Sequence, residues 1–134
     1  MHPSDHNALI FLLSQVISTP VISQQQMSSA HYQALHLLVH HGPMNLSDLA
    51  RARGVKKSTM SVIMEQLLVR QWVLIASAKA DARQKIYLIT NKGRTLYQEV
   101  AKASLEQLQQ RWSEYSENQW HDCLNMLDTL MNKN

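Results

Sequence analysis

Apolar residues recur at three- and four-residue intervals along most of this chain, and only one stretch changes to a two-residue period. From Asp5 to Ser18, Leu9, Ile10, Leu12, Leu13, Val16 and Ile17 are too many for one narrow stripe. They predict a helix buried on more than one side, which in so short a chain points to a second subunit. Pro20 ends or kinks it, having no amide hydrogen and a ring that clashes with the preceding turn. Ser28 can cap a second helix to about His41, with Tyr32, Leu35, Leu38 and Val39 inward, and Gly42-Pro43 stops it. Asn45 and Asp48 approximate a capping box before a short helix with Leu46, Leu49 and Ala50 on its apolar face. Gly54 suits a left-handed turn, and a further helix follows from about Lys57 to Gln71, with Met60, Ile63, Met64, Leu67 and Leu68 inward. The period then shortens: Trp72 to Ser77 and Lys85 to Thr90 are β-prone runs around a polar Ala78 to Gln84, which predicts a hairpin with a loose tip. Thr90 can cap a long helix from Asn91 to about Trp112. Ser116 with Gln119 forms a capping box before a last helix, where Trp120, Leu124, Leu127 and Met131 follow a 4-3-4 spacing.

Asn45 to Arg70 therefore reads as helix, short turn, helix, the layout that places a second helix in the DNA major groove. The distribution of charge strengthens this picture. Between Met44 and Arg94 lie ten basic residues against three acids, a net of +7, while the rest of the 134 residues carries −4. The modest total of +3 hides a strongly basic middle, the footprint of a polyanion-binding surface. A membrane surface would favour the same bias, but on one amphipathic helix.

The order helix, helix, helix-turn-helix, hairpin, two long helices resembles the MarR family of winged-helix regulators, and five segments carry the resemblance in register. They are Ser28-Ser29-Ala30-His31-Tyr32-Gln33-Ala34-Leu35, Asn45-Leu46-Ser47-Asp48-Leu49-Ala50, Lys57-Ser58-Thr59-Met60-Ser61, Asp81-Ala82-Arg83 and Thr90-Asn91-Lys92-Gly93-Arg94. The resemblance implies a mainly α fold with a small β-hairpin wing: a winged helix-turn-helix with N- and C-terminal dimerisation helices. Residues 1–134 would form a single MarR-type domain, with 28–94 as the DNA-binding region and 5–26 and 95–133 as dimerisation helices. The expected dimer contacts are Leu9, Leu12, Leu13, Trp112, Trp120, Leu124, Leu127 and Met131.

The expected DNA contacts are Lys56, Lys57, Ser58, Thr59, Ser61, Val62, Lys79, Asp81, Arg83, Lys85 and Arg94. Short hydroxyl side chains at 58, 59 and 61 can reach phosphate oxygens or base edges without holding the backbone away from the groove. Lys56 and Lys57 sit at a helix start, where the macrodipole disfavours cations by typically about 0.3 to 1 kcal/mol unless a phosphate arrives there. Asp81 and Arg83 share a face of an extended hairpin, so the carboxylate can hold the guanidinium in one rotamer; otherwise they form a surface ion pair of little weight. The resemblance implies that this arginine meets the minor groove. Thr90 and Gly93 read as structural, with Arg94 as a phosphate contact.

Some positions depart from the family pattern. Val62 stands where relatives commonly carry a basic or polar reader, Glu65 is repelled by phosphate, and Gln71-Trp72 replaces the usual Gly-Leu, which puts the sharpness of that turn in question. These positions motivate an alternative, a winged-helix protein-interaction module or antagonist that pairs with another regulator.

Other chemistry is thin. His36 and His40, four apart with His41 adjacent, can face one ion, but two imidazoles make an incomplete site, so neither metal nor cofactor is expected. Cys123, the single cysteine, reads as a packing residue in a reducing, cytoplasmic compartment. The seven methionines and Trp112 and Trp120 suit an ordinary core, or a pocket for a small aromatic or phenolic ligand such as many MarR relatives hold. No signal peptide, spanning helix or catalytic constellation is legible, so an enzyme and a membrane protein are both disfavoured. The leading expectation is a homodimeric repressor on an inverted-repeat operator of double-stranded DNA, relieved by a small ligand.

Overall fold

A computed structural model describes residues 27–78, 81–111 and 114–132. In chain order these form α1 (Ser29–His41), β1 (Met44–Asn45), α2 (Leu46–Arg53), α3 (Lys57–Val69), β2 (Val73–Ala78), β3 (Asp81–Ile89), α4 (Asn91–Arg111) and α5 (Glu117–Asn132). The chain divides into two compact units at Lys102/Ala103. The first holds the winged helix-turn-helix, and the second holds α5.

Helix α1 starts where Ser28 Oγ accepts the His31 amide at 3.1 Å and the Ser28 amide donates to His31 Nδ1 at 3.3 Å. This is a capping box with histidine in the place usually taken by Glu or Gln. The buried face is His31, Ala34, Leu35 and Leu38. Tyr32 and Val39, expected inward, are only half-buried, because the stripe sits one residue earlier at each end. With its Nδ1 occupied as acceptor, the His31 ring carries its proton on Nε2 and donates to Gln66 Oε1 of α3 at 2.7 Å.

Leu35 and Leu38 of α1 meet Leu49 of α2 and Met60, Met64 and Leu67 of α3 in the core, all almost fully buried. Removing large side chains such as these from a core costs about 2 to 5 kcal/mol each. Met27, Met60 and Met64 are core residues as expected, but Met126 of α5 is 66% exposed.

The sheet is antiparallel in the order β1-β3-β2. Strand β1 was not expected: Met44 and Asn45 pair with Tyr87 and Ile86 on the outer edge of β3. Two residues carry no period, and this strand is defined by the edge of β3 that it meets. The wing is also longer than the expected polar loop at Ala78 to Gln84. Ala78 pairs with Asp81 while Ser77 pairs with Lys85, so β3 takes up the extra residues in an irregularity beside Ser77/Ala78.

The corner between α3 and β2 decides how the wing leaves the head. Gln71 adopts φ 62°, and it is the one non-glycine among the described residues with positive φ. The expected doubt about its sharpness resolves here: the turn forms without glycine. Thr90 fastens it, its hydroxyl donating to the Gln71 carbonyl at 2.7 Å and its amide to the Trp72 carbonyl at 3.0 Å. The same hydroxyl accepts the Gly93 amide at 3.0 Å and so caps α4. Gly93 is required for packing, because a Cβ there would run into the Trp72 carbonyl group.

Two substitutions at this corner should move stability in opposite directions. Gly93→Ala is expected to destabilise by about 1 to 3 kcal/mol, since backbone must give way. Gln71→Gly should be neutral or stabilising by up to about 1 kcal/mol, because relief of left-handed strain outweighs added chain entropy. Denaturant unfolding at one fixed protein concentration checks both, and a marked loss on Gln71→Gly would show that the side chain itself is needed.

Candidate nucleic-acid interface

The turn of the helix-turn-helix is built from local chemistry. Asn45 Oδ1 accepts the Asp48 amide at 2.8 Å to start α2, while Asp48 turns its carboxylate to Arg51 at 3.3 Å instead of closing the box. Gly54 stops α2 in the left-handed region at φ 67°, and Val55 donates back to the Ala50 carbonyl at 3.0 Å. Helix α3 then begins after Lys56, whose side chain makes no capping hydrogen bond. Its first-turn amides therefore lack the side-chain acceptor that starts α1 and α2, and the positive end of the helix dipole points outward beside Lys56 and Lys57.

A cleft of about 280 Å³ opens where α2, α3 and β3 converge. Lys57 and Ser61 line it from α3, Lys85 and Gln84 from β3, and Asn45 and Ser47 from the start of α2. Three expected contacts, Lys57, Ser61 and Lys85, are thus gathered at one place. Ser47 and Gln84 were not singled out from sequence, although Ser47 stands in the first turn of a capped helix and Gln84 beside Lys85 in the basic stretch. Lys56, Ser58, Thr59 and Val62 are exposed on α3 outside the cleft, and Arg94 is exposed in the first turn of α4. Lys79 and the side chains of Asp81 and Arg83 lie outside the described residues.

Two basic residues of this stretch are engaged within the chain. Arg51 pairs with Asp48, and Arg70 donates to the Gln66 carbonyl at 3.1 Å with its guanidinium 5.5 Å from the centre of the Trp72 ring. Both sit in the last turn or cap of their helices, where cations are favoured.

Of the expected dimer contacts, Trp120, Leu124 and Leu127 share one side of α5 with Cys123, and Leu124 is 62% exposed. Leu9, Leu12, Leu13, Trp112 and the Met131 side chain lie outside the described residues.

Away from the cleft, α1 and α4 build an aromatic and imidazole cluster. Tyr32 and Tyr97 stack with ring centres 5.0 Å apart, and Tyr97 Oη lies 2.6 Å from His36 Nδ1 and 3.4 Å from His40 Nε2. The two imidazoles are 4.2 Å apart centre to centre. Burial, then hydrogen bonding with Tyr32, pushes the Tyr97 phenol up to about 12, so it keeps its proton near neutrality. Burial, then the charges of His40 and His41, lowers His36. Among the described residues no group of three His, Cys, Asp or Glu side chains is placed to hold a metal ion. Nor is any described helix long and apolar enough to cross a membrane.

The family model that matches this chain is that of the MarR family, over residues 25–84, which span α1 to the wing. An uncharacterised HTH-type transcriptional regulator of Staphylococcus aureus is 21% identical over 117 residues, 85% of this chain and 80% of its own. The HTH-type transcriptional repressor NicR of Pseudomonas putida is 30% identical over 82 residues, 58% of this chain and 52% of its own. Among solved structures, NadR in complex with 4-hydroxyphenylacetate is similar with a TM-score of 0.81 at 18% identity, over 99% of this chain and 96% of that one.

The lowered His36 has a measurable consequence. The folded chain holds that proton less tightly than the unfolded one, so its share of stability is complete above the ordinary imidazole value of about 6.5 and is lost as pH falls through the lower folded value. The decrease in Tm from about pH 7.5 to about pH 5 should therefore be smaller in His36→Gln than in the wild type. An equal decrease would remove His36 from the acid response.

Proposed function

On the footing that this chain carries the winged helix-turn-helix of the MarR family, we propose that it is a homodimeric repressor binding an inverted-repeat operator in double-stranded DNA. The family is one of transcription regulators, not enzymes. The observation that carries the reading is the cleft: Lys57, Ser61 and Lys85, with Asn45 and Ser47, converge beside an α3 N-terminus that has no side-chain cap. Lysines, hydroxyls and open helix amides together are the groups that hold phosphate oxygens. In this reading α3 enters the major groove, one per half-site about one DNA turn apart, and Arg83 and Lys79 at the wing meet the neighbouring backbone.

Two copies are supported by the apolar side of α5, where exposed Leu124 and Leu127 accompany Trp120, a surface a lone soluble subunit rarely leaves open. The full 134 residues then act as one regulatory domain in the cytoplasm. Relief by a small aromatic or phenolic ligand is supported by the stacked Tyr32 and Tyr97 beside two imidazoles, groups suited to an aromatic ring and an acid or phenol. NadR, similar in fold, has been solved with 4-hydroxyphenylacetate.

Titration with random-sequence duplex across a range of salt tests the core of the reading. Log affinity should fall against log salt with a slope of about −0.9 for each phosphate contacted. Lys85→Ala removes two such contacts per dimer and should flatten the slope by about 2 units while weakening all sequences alike. Arg83→Ala should likewise weaken every sequence, whereas Ser61→Ala should alter the preferred half-site. Absence of duplex binding at low salt would favour the protein-interaction module instead. In light scattering, Trp120→Glu with Leu124→Glu should give a monomer or an unfolded chain, and a well-folded dimer would take α5 out of the interface.

A further inference from the structure

Resting on the DNA-binding reading above, we propose that Val62 is a specificity-determining residue that recognises thymine by its C5-methyl group in the major groove. Helix α3 turns Met60, Ile63, Met64 and Leu67 into the core. Its exposed side is therefore Ser58, Thr59, Val62, Glu65, Gln66 and Val69, with Ser61 half-buried in the cleft. No lysine or arginine occurs between Ser58 and Val69, so beyond its first turn the helix has no side chain for the two-pronged reading of guanine.

The other polar groups of this face are constrained. Gln66 is the residue type that grips adenine through both amide atoms, but its Oε1 already accepts from His31 at 2.7 Å, which ties the side chain to α1. Glu65 is repelled by phosphate and offers only acceptors, so it cannot serve a thymine O4. What remains in the middle of the face is Val62, 55% exposed and one helical turn from Ser58. Its branched Cβ holds one dominant rotamer in a helix, so its two methyl groups are presented with little entropy left to lose. Thymine carries the one apolar group that unmodified bases display in the major groove.

A protein partner at the same spot fits less well. Interface centres are built on aromatic and arginine anchors in a continuous patch. The other exposed apolar side chain of α3 is Val69, two turns away at the far end of the helix. Val62 is flanked by Ser58, Ser61 and Glu65, and the cleft with Lys57 and Lys85 is next to it.

The test uses the whole chain and a duplex selected by it from random DNA. In that duplex each thymine is replaced singly by deoxyuridine, which removes the methyl group and nothing else. One thymine per half-site should prove sensitive, with affinity falling about fourfold for each buried methyl lost. Val62→Ala, which should fold because alanine is the better helix former at an exposed site, should bind the thymine and deoxyuridine duplexes alike. Placing 5-methylcytosine at the sensitive position should raise wild-type affinity about fourfold over unmodified cytosine there. Indifference of the wild type to every methyl deletion, or a Val62→Ala variant as sensitive as the wild type, overturns the proposal while DNA binding stands. Failure of the wild type to bind any duplex overturns the DNA-binding reading and this inference with it.

Discussion

The first unit depends on a carbonyl-to-hydroxyl contact that holds a strained corner shut. Gln71 is in a left-handed conformation that costs an L-residue about 1 to 2 kcal/mol, and it persists because its neighbours leave no alternative. Its own amide is bonded to Leu68, its carbonyl to the Thr90 hydroxyl, and the Trp72 carbonyl to the Thr90 amide. Three consequences follow from one residue pair. Helix α3 ends where its buried face ends, β2 departs at the angle that lets β3 return, and α4 starts on the Thr90 cap against a backbone that admits only glycine at 93. The Thr-x-x-Gly spacing is thus a lock on a corner two elements away, one that closes without glycine at 71.

The polar residues of the head divide into those spent on holding it and those left facing out. His31 caps α1, reaches Gln66 and meets the Trp72 ring edge-on at 6.1 Å, so one buried imidazole ties α1, α3 and the corner together. The Arg70 guanidinium lies over the same indole. Arg51 is taken by Asp48. The lysines at 56, 57 and 85 are treated differently, since two stand at an uncapped helix start and the third on the strand beside it. Among the described residues no acid pairs with these lysines, although Glu65 lies near enough to the cleft for its charge, after burial, to raise the Tyr87 phenol. Local stability is not what this arrangement serves, and an anion arriving from outside gives it an electrostatic rationale.

Much of this was legible in the residues. The Ser28 cap, the capping box of Ser116 and Gln119 and the Gly54 stop follow from interactions within four positions, where sequence distance is spatial distance, although the return bond of the Ser28 amide to His31 was not legible. The core faces of α2 and α3 follow from period alone. What could not be read depends on partners far along the chain. Strand β1 is defined by the edge of β3 some forty residues later, and the length of the wing by an irregular pairing rather than by composition. The inward turn of His31 is set by Gln66, thirty-five positions away. In the candidate site, Lys57, Ser61 and Lys85 were visible as residue types, but their convergence with Ser47 and Gln84 needed the fold to bring α2 and β3 to the same end of α3.

The beginning of α4 is attached to the head at two points of different character. At Thr90 and Gly93 the attachment is to backbone carbonyls, through the Thr90 hydroxyl and amide and the close approach of Gly93, and leaves little slack. One turn later, at Tyr97, it is side chain to side chain, through a stack with Tyr32 and hydrogen bonds to His36 and His40. A rigid joint beside an adjustable one is a lever: a molecule that competes for the phenol or the imidazoles would act on the second joint while the first stays closed. Such a ligand can shift the head only by the difference in its affinity for two arrangements of that cluster. Because Tyr97 keeps its proton near neutrality and His36 resists gaining one, these two side chains enter that competition as uncharged hydrogen-bonding groups. Recognition of an aromatic acid there would therefore draw on stacking and hydrogen bonds, and its strength would rise where acidification charges His36.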